Sequence, residues 1–171
     1  LAKDFSLKPF QEKVIDHVLQ GSTVAVMPTG GGKSLIYWVS SQAIGGTCLV
    51  ISPLIALIDE QTEKLTTEGF DVLAIHGGMG ATEQMKVLKD FATGVRNPDF
   101  IFASPERMAT DGFFEYCLSL QKEKIKLLVI DEIHCVSQWG FDFRPFYKRI
   151  PVFLNEIFSY QWPTILGLTA T

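Results

Sequence analysis

The sequence is poor in cysteine and has no apolar run long enough to cross a bilayer. Its three cysteines, Cys48, Cys117 and Cys135, are odd in number and lie far apart, which argues against a disulfide framework. No spacing of cysteine and histidine suits a zinc site. We therefore expect reduced cysteines packed in the core of an intracellular protein that has no membrane partner.

Positive charge is also scarce, because 15 lysines and arginines face 19 aspartates and glutamates, which gives a net charge of −4. A domain that holds nucleic acid mainly through lysine and arginine is usually basic, so tight binding of that kind is not expected. The 171 residues, 47% of them hydrophobic, suffice for one globular domain with a substantial core. We assign residues 1–171 to a single domain.

The most informative segment is a glycine-rich stretch at residues 27–34, Met-Pro-Thr-Gly-Gly-Gly-Lys-Ser. It follows a strand-like run and precedes a helical one, which is the context that a nucleotide-phosphate loop requires. Glycines let backbone N–H groups surround phosphate oxygens, and the start of a helix adds partial positive charge. In such a loop the lysine reaches the terminal phosphates and the serine hydroxyl ligates Mg²⁺. The candidate nucleotide-binding residues are Thr29, Gly30, Gly31, Gly32, Lys33 and Ser34.

A second element, the acidic pair Asp131-Glu132, follows an apolar run at 127–130. Such runs are typical of buried parallel strands, whose carboxyl ends hold ligands. Asp131 could hold the same Mg²⁺ as Ser34, while Glu132 could orient or deprotonate a water that attacks the γ-phosphate. Together with Lys33, the acidic pair forms the candidate catalytic set and predicts a nucleoside triphosphatase.

Strand-like and helical runs alternate along the chain, a rhythm typical of a parallel sheet with helices on both faces. The strands are expected at 23–27, 48–52, 72–76, 100–103, 127–131 and 165–168. The helices are expected at 7–20, 33–43, 54–68, 81–92, 106–120 and 145–158. The sequence thus predicts an α/β fold with a mainly parallel sheet.

Two of the predicted strands are followed by the same pair of residues, Ser52-Pro53 and Ser104-Pro105. Serine is a good N-cap and proline suits the first helical position, so each pair is expected to start a helix. One interpretation of the two pairs is purely architectural. The other is that these helix starts lie on the same sheet edge as the glycine-rich stretch and receive the phosphates of a nucleic-acid strand without any lysine.

A stretch after the acidic pair mixes aromatic residues with polar and charged ones. Its candidate binding residues are Gln138, Trp139, Phe141, Phe143 and Arg144. Aromatic rings stack on unpaired bases of any sequence, for roughly 1–3 kcal/mol per base, and arginine adds charge. We favour this function over a core-packing aromatic cluster, because core loops seldom interleave glutamine, aspartate and arginine in this way.

Taken in order, these segments resemble the motifs of the superfamily 2 helicases and, within them, of the RecQ family. The aromatic stretch resembles the RecQ loop that links the binding of single-stranded DNA to ATP hydrolysis. The resemblance implies a RecA-like P-loop NTPase fold, ATP and Mg²⁺ as cofactors and DNA as a partner. The resembling segments are 7–11, 27–34, 50–61, 104–107, 131–134, 135–145 and 168–171.

The resemblance also gives roles to residues that chemistry alone does not single out. It implies that Gln11 reads the edge of the adenine base. It implies that His134 reports the state of the nucleotide to a partner domain, and it places Thr169 and Thr171 in a further coupling motif.

By the same resemblance the chain is the first of two RecA-like lobes of a longer DNA helicase that moves 3′ to 5′. The second lobe would close over ATP and supply an arginine finger. Without that lobe we expect the chain to bind nucleotide weakly, to hydrolyse it poorly and to unwind nothing. The protein is expected in the cytoplasm or nucleoid if it is bacterial and in the nucleus if it is eukaryotic.

Two alternatives stay open at this point. An RNA helicase lobe of the DEAD-box kind shares the chemistry, but its acidic motif ends in aspartate where this chain has His134, and it lacks the aromatic stretch. The second alternative is a nucleotide-binding interaction module that no longer unwinds, and the intact set Lys33, Ser34, Asp131 and Glu132 argues against it. One departure from the RecQ pattern is Phe141, where that family usually has histidine, since phenylalanine can stack on a base but cannot donate a hydrogen bond.

Overall fold

The structure, a computed structural model, describes residues 6–107, 112–136 and 145–170. Its strands are β1 (Thr23–Val26), β2 (Thr47–Ile51), β3 (Val72–Ile75), β4 (Phe100–Ala103), β5 (Ile125–Ile130) and β6 (Thr164–Thr169). Its helices are α1 (Pro9–Gln20), α2 (Lys33–Ile44), α3 (Ile55–Thr67), α4 (Ala81–Ala92), α5 (Phe113–Ser119) and α6 (Ile150–Phe158). None of the helices in these ranges has both the length and the apolar character needed to span a membrane.

The six strands form one sheet in the order β1-β6-β5-β2-β4-β3, and every neighbouring pair is parallel. Central strands of a parallel sheet are buried on both faces, so their sequences are continuous apolar runs rather than alternating ones. Strand β2 shows this, since all five of its residues are buried. The prediction of an α/β fold with a parallel sheet is therefore confirmed.

Helices cover both faces of the sheet, as predicted, and each face has its own apolar core. Along β2, Cys48 and Val50 belong to the core under α1, α2 and α3, whereas Leu49 and Ile51 belong to the core under α4, α5 and α6. The alternation follows from the strand geometry, in which successive side chains point to opposite faces. The three cysteines are buried thiols, as the sequence indicates.

The carboxyl ends of the strands meet along one edge of the sheet, and this edge carries the segments that the sequence singled out. The amide of Met27 after β1 donates to the Thr169 carbonyl of β6 at 2.8 Å, and the amide of Asp131 after β5 donates to the Ile51 carbonyl of β2 at 2.9 Å. Ligands of open parallel sheets bind at such an edge. The fold therefore brings the glycine-rich stretch, the acidic pair and the first Ser-Pro pair together.

The helix limits differ from the predicted ones in two places. The helix expected at 106–120 is α-helical at Phe113–Ser119, and residues 108–111 lie outside the described ranges. The helix expected at 145–158 opens as a short 3-10 helix at Pro145–Arg149 and becomes α-helical at Ile150. The remaining strands and helices begin and end within two residues of their expected limits.

The prediction that each Ser-Pro pair starts a helix is wrong for Ser52-Pro53, and for Ser104-Pro105 the residues that would continue a helix, 108–111, lie outside the described ranges. After β2 the helix begins at Ile55, and its N-cap is Leu54 rather than Ser52. After β4, Pro105 lies in a turn in which the amide of Arg107 donates to the Ser104 carbonyl at 3.1 Å. Proline suits the second position of a β-turn as well as the start of a helix, so the local signal was ambiguous.

Candidate functional site

The glycine-rich stretch forms a tight loop between β1 and α2. Gly30 and Gly32 have φ values of 76° and 79°, in the left-handed region that favours glycine. The amide of Gly31 donates to the Pro28 carbonyl at 3.0 Å, and a Cβ added at Gly31 would lie 2.8 Å from that same oxygen. Helix α2 begins directly at Lys33, so the loop ends at the positive end of a helix dipole. This backbone has the shape that an anion-binding loop needs.

Gln11 of α1 holds this loop from behind, although it is 20 or more residues away in sequence. Its side chain is buried, and its amide nitrogen donates to the carbonyls of Gly31 and Gly32 at 3.4 and 3.1 Å. Its amide oxygen accepts a hydrogen bond from the Lys8 backbone at 2.8 Å. A Cβ added at Gly32 would collide with the Gln11 amide. In the structure Gln11 therefore supports the loop, and its reading of adenine stays a prediction.

The lysine of the loop, which follows β1, reaches the acidic pair, which follows β5, across the end of β6. Lys33 Nζ lies 3.3 Å from Glu132 Oε1, and both side chains are largely buried. The other carboxylate oxygen, Oε2, lies 3.2 Å from His134 Nδ1, which also lies 2.9 Å from Thr169 Oγ1. Four side chains that the sequence singled out separately are thus joined in one polar chain.

Asp131 lies deeper than Glu132 and has its own set of partners. Its carboxylate accepts hydrogen bonds from the Ser52 hydroxyl at 3.2 Å and from the Glu132 amide at 3.0 Å. Burial raises the pKa of the Asp131 carboxyl above its usual value, with Lys33 opposing the rise and Glu132 adding to it. The hydroxyl hydrogen of Ser52 thus points at Asp131, and α3 begins at Ile55 with Leu54 as its N-cap.

Tyr147 is a site neighbour that the sequence did not reveal. Its ring is fully buried, and its hydroxyl donates to the backbone carbonyl of Asp131 at 2.7 Å. Glu132, the next residue, has a φ of 53°, which is unusual for a residue with a Cβ. The sequence signal that could have found Tyr147 is its spacing of three and six residues from Ile150 and Phe153, which puts it on the apolar side of the predicted helix, where a buried hydroxyl needs a polar partner.

A cavity of about 430 Å³ opens between the glycine loop, α3 and the acidic pair. The sequence predicted the cavity lining that comes from the glycine loop and the acidic pair, but not the lining that Tyr37 of α2 and Gln61 of α3 supply. Tyr37 of α2 donates its hydroxyl to Gln61 of α3 at 3.2 Å, and burial raises the Tyr37 pKa well above its usual value, so this hydroxyl stays protonated. The cavity is lined by Thr29, Gly30, Gly32, Lys33, Ser34, Tyr37, Leu54, Leu57, Glu60, Gln61, Lys64, Asp131, Glu132 and Leu168.

The donors in this cavity fit a magnesium ion held with a nucleotide. Ser34 and Asp131 both line it and offer a hydroxyl and a carboxylate, the hard oxygen ligands that Mg²⁺ prefers. The described residues contain no group of three or more His, Cys, Asp or Glu side chains arranged to hold a metal by themselves. A nucleotide-bound Mg²⁺ does not need one, because it takes one or two protein ligands together with phosphate oxygens and water.

The residues predicted to meet a nucleic-acid strand fall into two groups. Ser52, Pro53, Ser104 and Pro105 lie along the carboxyl edge with buried side chains, so a strand passing there would meet their backbone and their neighbours. The second group lies outside the described residues. It consists of Gln138, Trp139, Phe141, Phe143 and Arg144, and Thr171 of the coupling motif lies outside the described residues as well.

A family model described as "DEAD/DEAH box helicase" matches residues 8–171 of the chain. Among curated proteins, the chain is 36% identical over 167 residues to "ATP-dependent DNA helicase RecQ" of Pasteurella multocida. It is 37% identical over 150 residues to the protein of the same name from Bacillus subtilis. It is also 36% identical over 171 residues to "ATP-dependent DNA helicase Q-like 4B" of Arabidopsis thaliana.

These alignments cover most of the chain but a small part of the relatives. They include 97%, 88% and 97% of this chain, and 25%, 24% and 14% of the respective relatives. The chain thus spans about a quarter or less of the length of these curated relatives.

Solved structures share the fold at lower sequence identity. A hypothetical ATP-dependent RNA helicase from Sulfolobus tokodaii matches 99% of this chain and 47% of its own, with a TM-score of 0.70 and 24% identity. The Hef helicase domain of Pyrococcus furiosus matches 96% of this chain and 33% of its own, with a TM-score of 0.66 and 21% identity. The resemblance to RecQ helicases is confirmed, and the chain belongs to the DEAD/DEAH box helicase family.

Proposed function

We propose that this chain is the ATP-binding first RecA-like lobe of an ATP-dependent DNA helicase of the RecQ type. In the whole protein, ATP hydrolysis would drive movement 3′ to 5′ along a strand and the unwinding of DNA. The observation that carries the proposal is the 3.3 Å contact between Lys33 of the glycine loop and Glu132 of the acidic pair. It brings a phosphate-binding lysine and a water-activating carboxylate to one point of the sheet edge.

The glycine loop and the start of α2 are proposed to bind the phosphates of ATP. The left-handed Gly30 and Gly32, and Gly31 with no Cβ to meet the Pro28 carbonyl, give the loop the curvature that lets backbone amides approach phosphate oxygens closely. Lys33 would leave Glu132 and turn to the β- and γ-phosphates, because a phosphate carries more charge than a single carboxylate. Gln11 is proposed to hold the loop in shape and to read the adenine edge.

Ser34 and Asp131 are proposed to hold Mg²⁺. When bound, the ion would neutralise charge on the phosphates. Burial raises the pKa of Asp131 and disfavours its ionised form, and a nearby cation favours that form again. The Ser52 hydroxyl and the Glu132 amide already hold the carboxylate in one orientation.

Glu132 is proposed to orient the attacking water and accept its proton. Once Lys33 has moved to the phosphates, Oε1 of Glu132 is released for this task, while Oε2 stays near His134. His134 also lies beside Thr169, so a change at the γ-phosphate could pass from Glu132 to the carboxyl end of β6. We propose that this end, together with Thr171, couples the nucleotide to a second lobe.

DNA and the second lobe are the proposed partners. The strand would pass the carboxyl edge near Ser52 and Ser104 and meet the aromatic residues between positions 138 and 143. The net charge of −4 indicates that this lobe alone would bind DNA weakly. An arginine finger from the second lobe is typically worth about 10³–10⁵ in kcat, so the lobe alone would hydrolyse ATP slowly.

The experiment that tests the proposal measures ATP hydrolysis by the full-length protein without nucleic acid, with single-stranded DNA and with single-stranded RNA. We expect strong stimulation by DNA, weak stimulation by RNA, and loss of activity in Lys33→Ala. The matched control is Lys86→Ala, because Lys86 is exposed on α4 and far from the cavity. Stimulation by RNA alone would favour an RNA helicase lobe, and an active Lys33→Ala variant would refute the proposed ATP site.

A further inference from the structure

The backbone at Glu132 has a conformation that its own side chain does not favour. Its φ of 53° places it in the left-handed region, where the Cβ of most residues crowds the following carbonyl. Such a conformation persists when surrounding contacts fix it, and it then sets the direction of the side chain. The direction of Glu132 matters because its carboxylate meets Lys33 on one side and His134 on the other.

The peptide that joins Asp131 to Glu132 is held at both of its polar ends. Its N–H donates to the Asp131 carboxylate at 3.0 Å, and its carbonyl accepts a hydrogen bond from the Tyr147 hydroxyl at 2.7 Å. Because a peptide is planar, holding both ends fixes its plane and the position of the Glu132 Cα, from which the side chain leaves at the observed φ of 53°. The carboxylate contact comes from within the acidic pair, whereas the hydroxyl contact comes from a different part of the fold.

Tyr147 is itself rigidly placed. It is 0% exposed and belongs to the apolar core beneath α4, α5 and α6, together with Ile150 and Phe153. It lies in the short 3-10 helix Pro145–Arg149 that leads into α6, and it is the buried residue of that helix. A hydroxyl presented by a packed ring is a better fixing point than one on a mobile surface side chain.

We propose that Tyr147 is a positioning residue, which acts through the Asp131 carbonyl to aim the Glu132 carboxylate at the attacking water. This inference rests on the proposed ATPase function. It assigns to Tyr147 no contact with ATP, with Mg²⁺ or with DNA. Its effect therefore falls on the rate of the chemical step and leaves binding unchanged.

The test is Tyr147→Phe in the full-length protein, because this change removes the hydroxyl and keeps the ring. We expect kcat for ATP hydrolysis to fall about tenfold, as for the loss of one well-aligned hydrogen bond in the transition state. KM for ATP and the DNA concentration for half-maximal stimulation should stay unchanged. The fall should be the same with and without DNA, since the proposed effect runs through the Asp131 carbonyl to Glu132.

The matched control is Thr47→Val. The Thr47 hydroxyl also donates from a buried position to a backbone carbonyl, that of Pro98, at 2.7 Å, but at the amino end of β2. Both variants lose one buried hydrogen bond and should lose similar thermal stability. Because a less stable variant has a larger unfolded fraction, kcat is calculated per molecule that binds nucleotide. On that basis the kcat of Thr47→Val should equal that of the unmodified protein. If both variants lower kcat equally, or if Tyr147→Phe leaves it unchanged, the inference is overturned.

Glu132→Gln separates failure of this inference from failure of the proposed function. If Glu132→Gln keeps full activity, the proposed function fails, whatever Tyr147→Phe does. If Glu132→Gln is inactive, Tyr147→Phe added to it should change the residual kcat by less than about twofold, because two residues that act as one unit are not additive. A further tenfold loss in the double variant would show that Tyr147 acts elsewhere and would refute the inference.

Discussion

Lys33 and Glu132 form an ion pair 3.3 Å long across the carboxyl edge of the sheet, although 99 residues separate them in sequence. Both groups have a proposed task in ATP hydrolysis, and neither can perform it while paired with the other. We therefore expect nucleotide binding to separate them. The pair gives each of two partly exposed charges an opposite charge nearby in the structure.

The first prediction concerns Glu132→Gln, which removes the negative partner of Lys33 and the proposed water-activating group. We expect kcat for ATP hydrolysis to fall by about 10²–10⁴, the range typical of a lost general base. ATP affinity should be equal or up to about fivefold tighter, because the pair is partly exposed and contributes at most about 1 kcal/mol. Steady-state hydrolysis and fluorescent-nucleotide titration measure the two quantities.

The control for this variant is Glu83→Gln, which removes a charge from an exposed position of α4. It should leave both kcat and ATP affinity unchanged. Weaker ATP binding by Glu132→Gln would contradict the view that the ion pair competes with the nucleotide.

The second prediction concerns Gln11→Glu, which would place a carboxylate against the carbonyls of Gly31 and Gly32. The lost donor and the repulsion should loosen the loop and weaken ATP binding by about tenfold or more. Because the contacts in the structure are to the loop, GTP binding should weaken as well. Gln20→Glu, at an exposed position of the same helix, is the control. If ATP binding alone weakened, Gln11 would act on adenine rather than on the loop.

Most of the fold could be predicted from the sequence because the buried strands of a parallel α/β sheet are continuous apolar runs. Strands β2, β4 and β5 are almost wholly buried, and their positions could be read directly. The glycine loop and the acidic pair could also be placed, because each follows such a strand. The shared sheet edge predicts that the loop and the acidic pair lie close together, but the sequence does not give the distance between Lys33 and Glu132.

What the sequence could not predict depends on partners that are distant in sequence. Ser52 has every local property of an N-cap, but its side chain donates to the Asp131 carboxylate, 79 residues away, and the helix begins only at Ile55. Tyr147 looks like one more apolar residue of a helix until its hydroxyl is seen on the Asp131 carbonyl. In each case a tertiary hydrogen bond overrides or adds to a local pattern.

The third prediction compares two glycines, Gly32 and Gly21. Gly32 has a left-handed φ of 79°, and a Cβ there would collide with Gln11, so Gly32→Ala should cost about 1–2 kcal/mol locally and abolish tight ATP binding. Gly21 is extended, with a φ of 164° and open space where a Cβ would lie, so Gly21→Ala should leave ATP binding unchanged. Nucleotide titration and thermal unfolding of both variants check this. Normal ATP binding by Gly32→Ala would show that the loop does not need this conformation.

The fourth prediction follows from the raised pKa of Asp131, which burial causes and Lys33 only partly opposes. Because its pKa is higher in the folded than in the unfolded chain, the folded protein binds a proton more readily. The free energy of unfolding of the Mg²⁺-free protein therefore falls as pH rises from the usual carboxyl pKa through the raised one. At neutral pH the ionised, buried carboxylate is a net cost to stability.

Asp131→Asn should remove that cost while abolishing the proposed Mg²⁺ ligand. We expect a higher Tm than that of the unmodified protein at pH 7 without Mg²⁺ or nucleotide, and a smaller difference at acidic pH, where Asp131 is protonated. ATP hydrolysis should be lost, because the amide is a poor ligand for Mg²⁺. Asp16→Asn, at an exposed position of α1, is the control for removal of one negative charge. A lower Tm for Asp131→Asn at pH 7 would mean that Lys33 outweighs burial, and stability at this site would then rise with pH instead of falling.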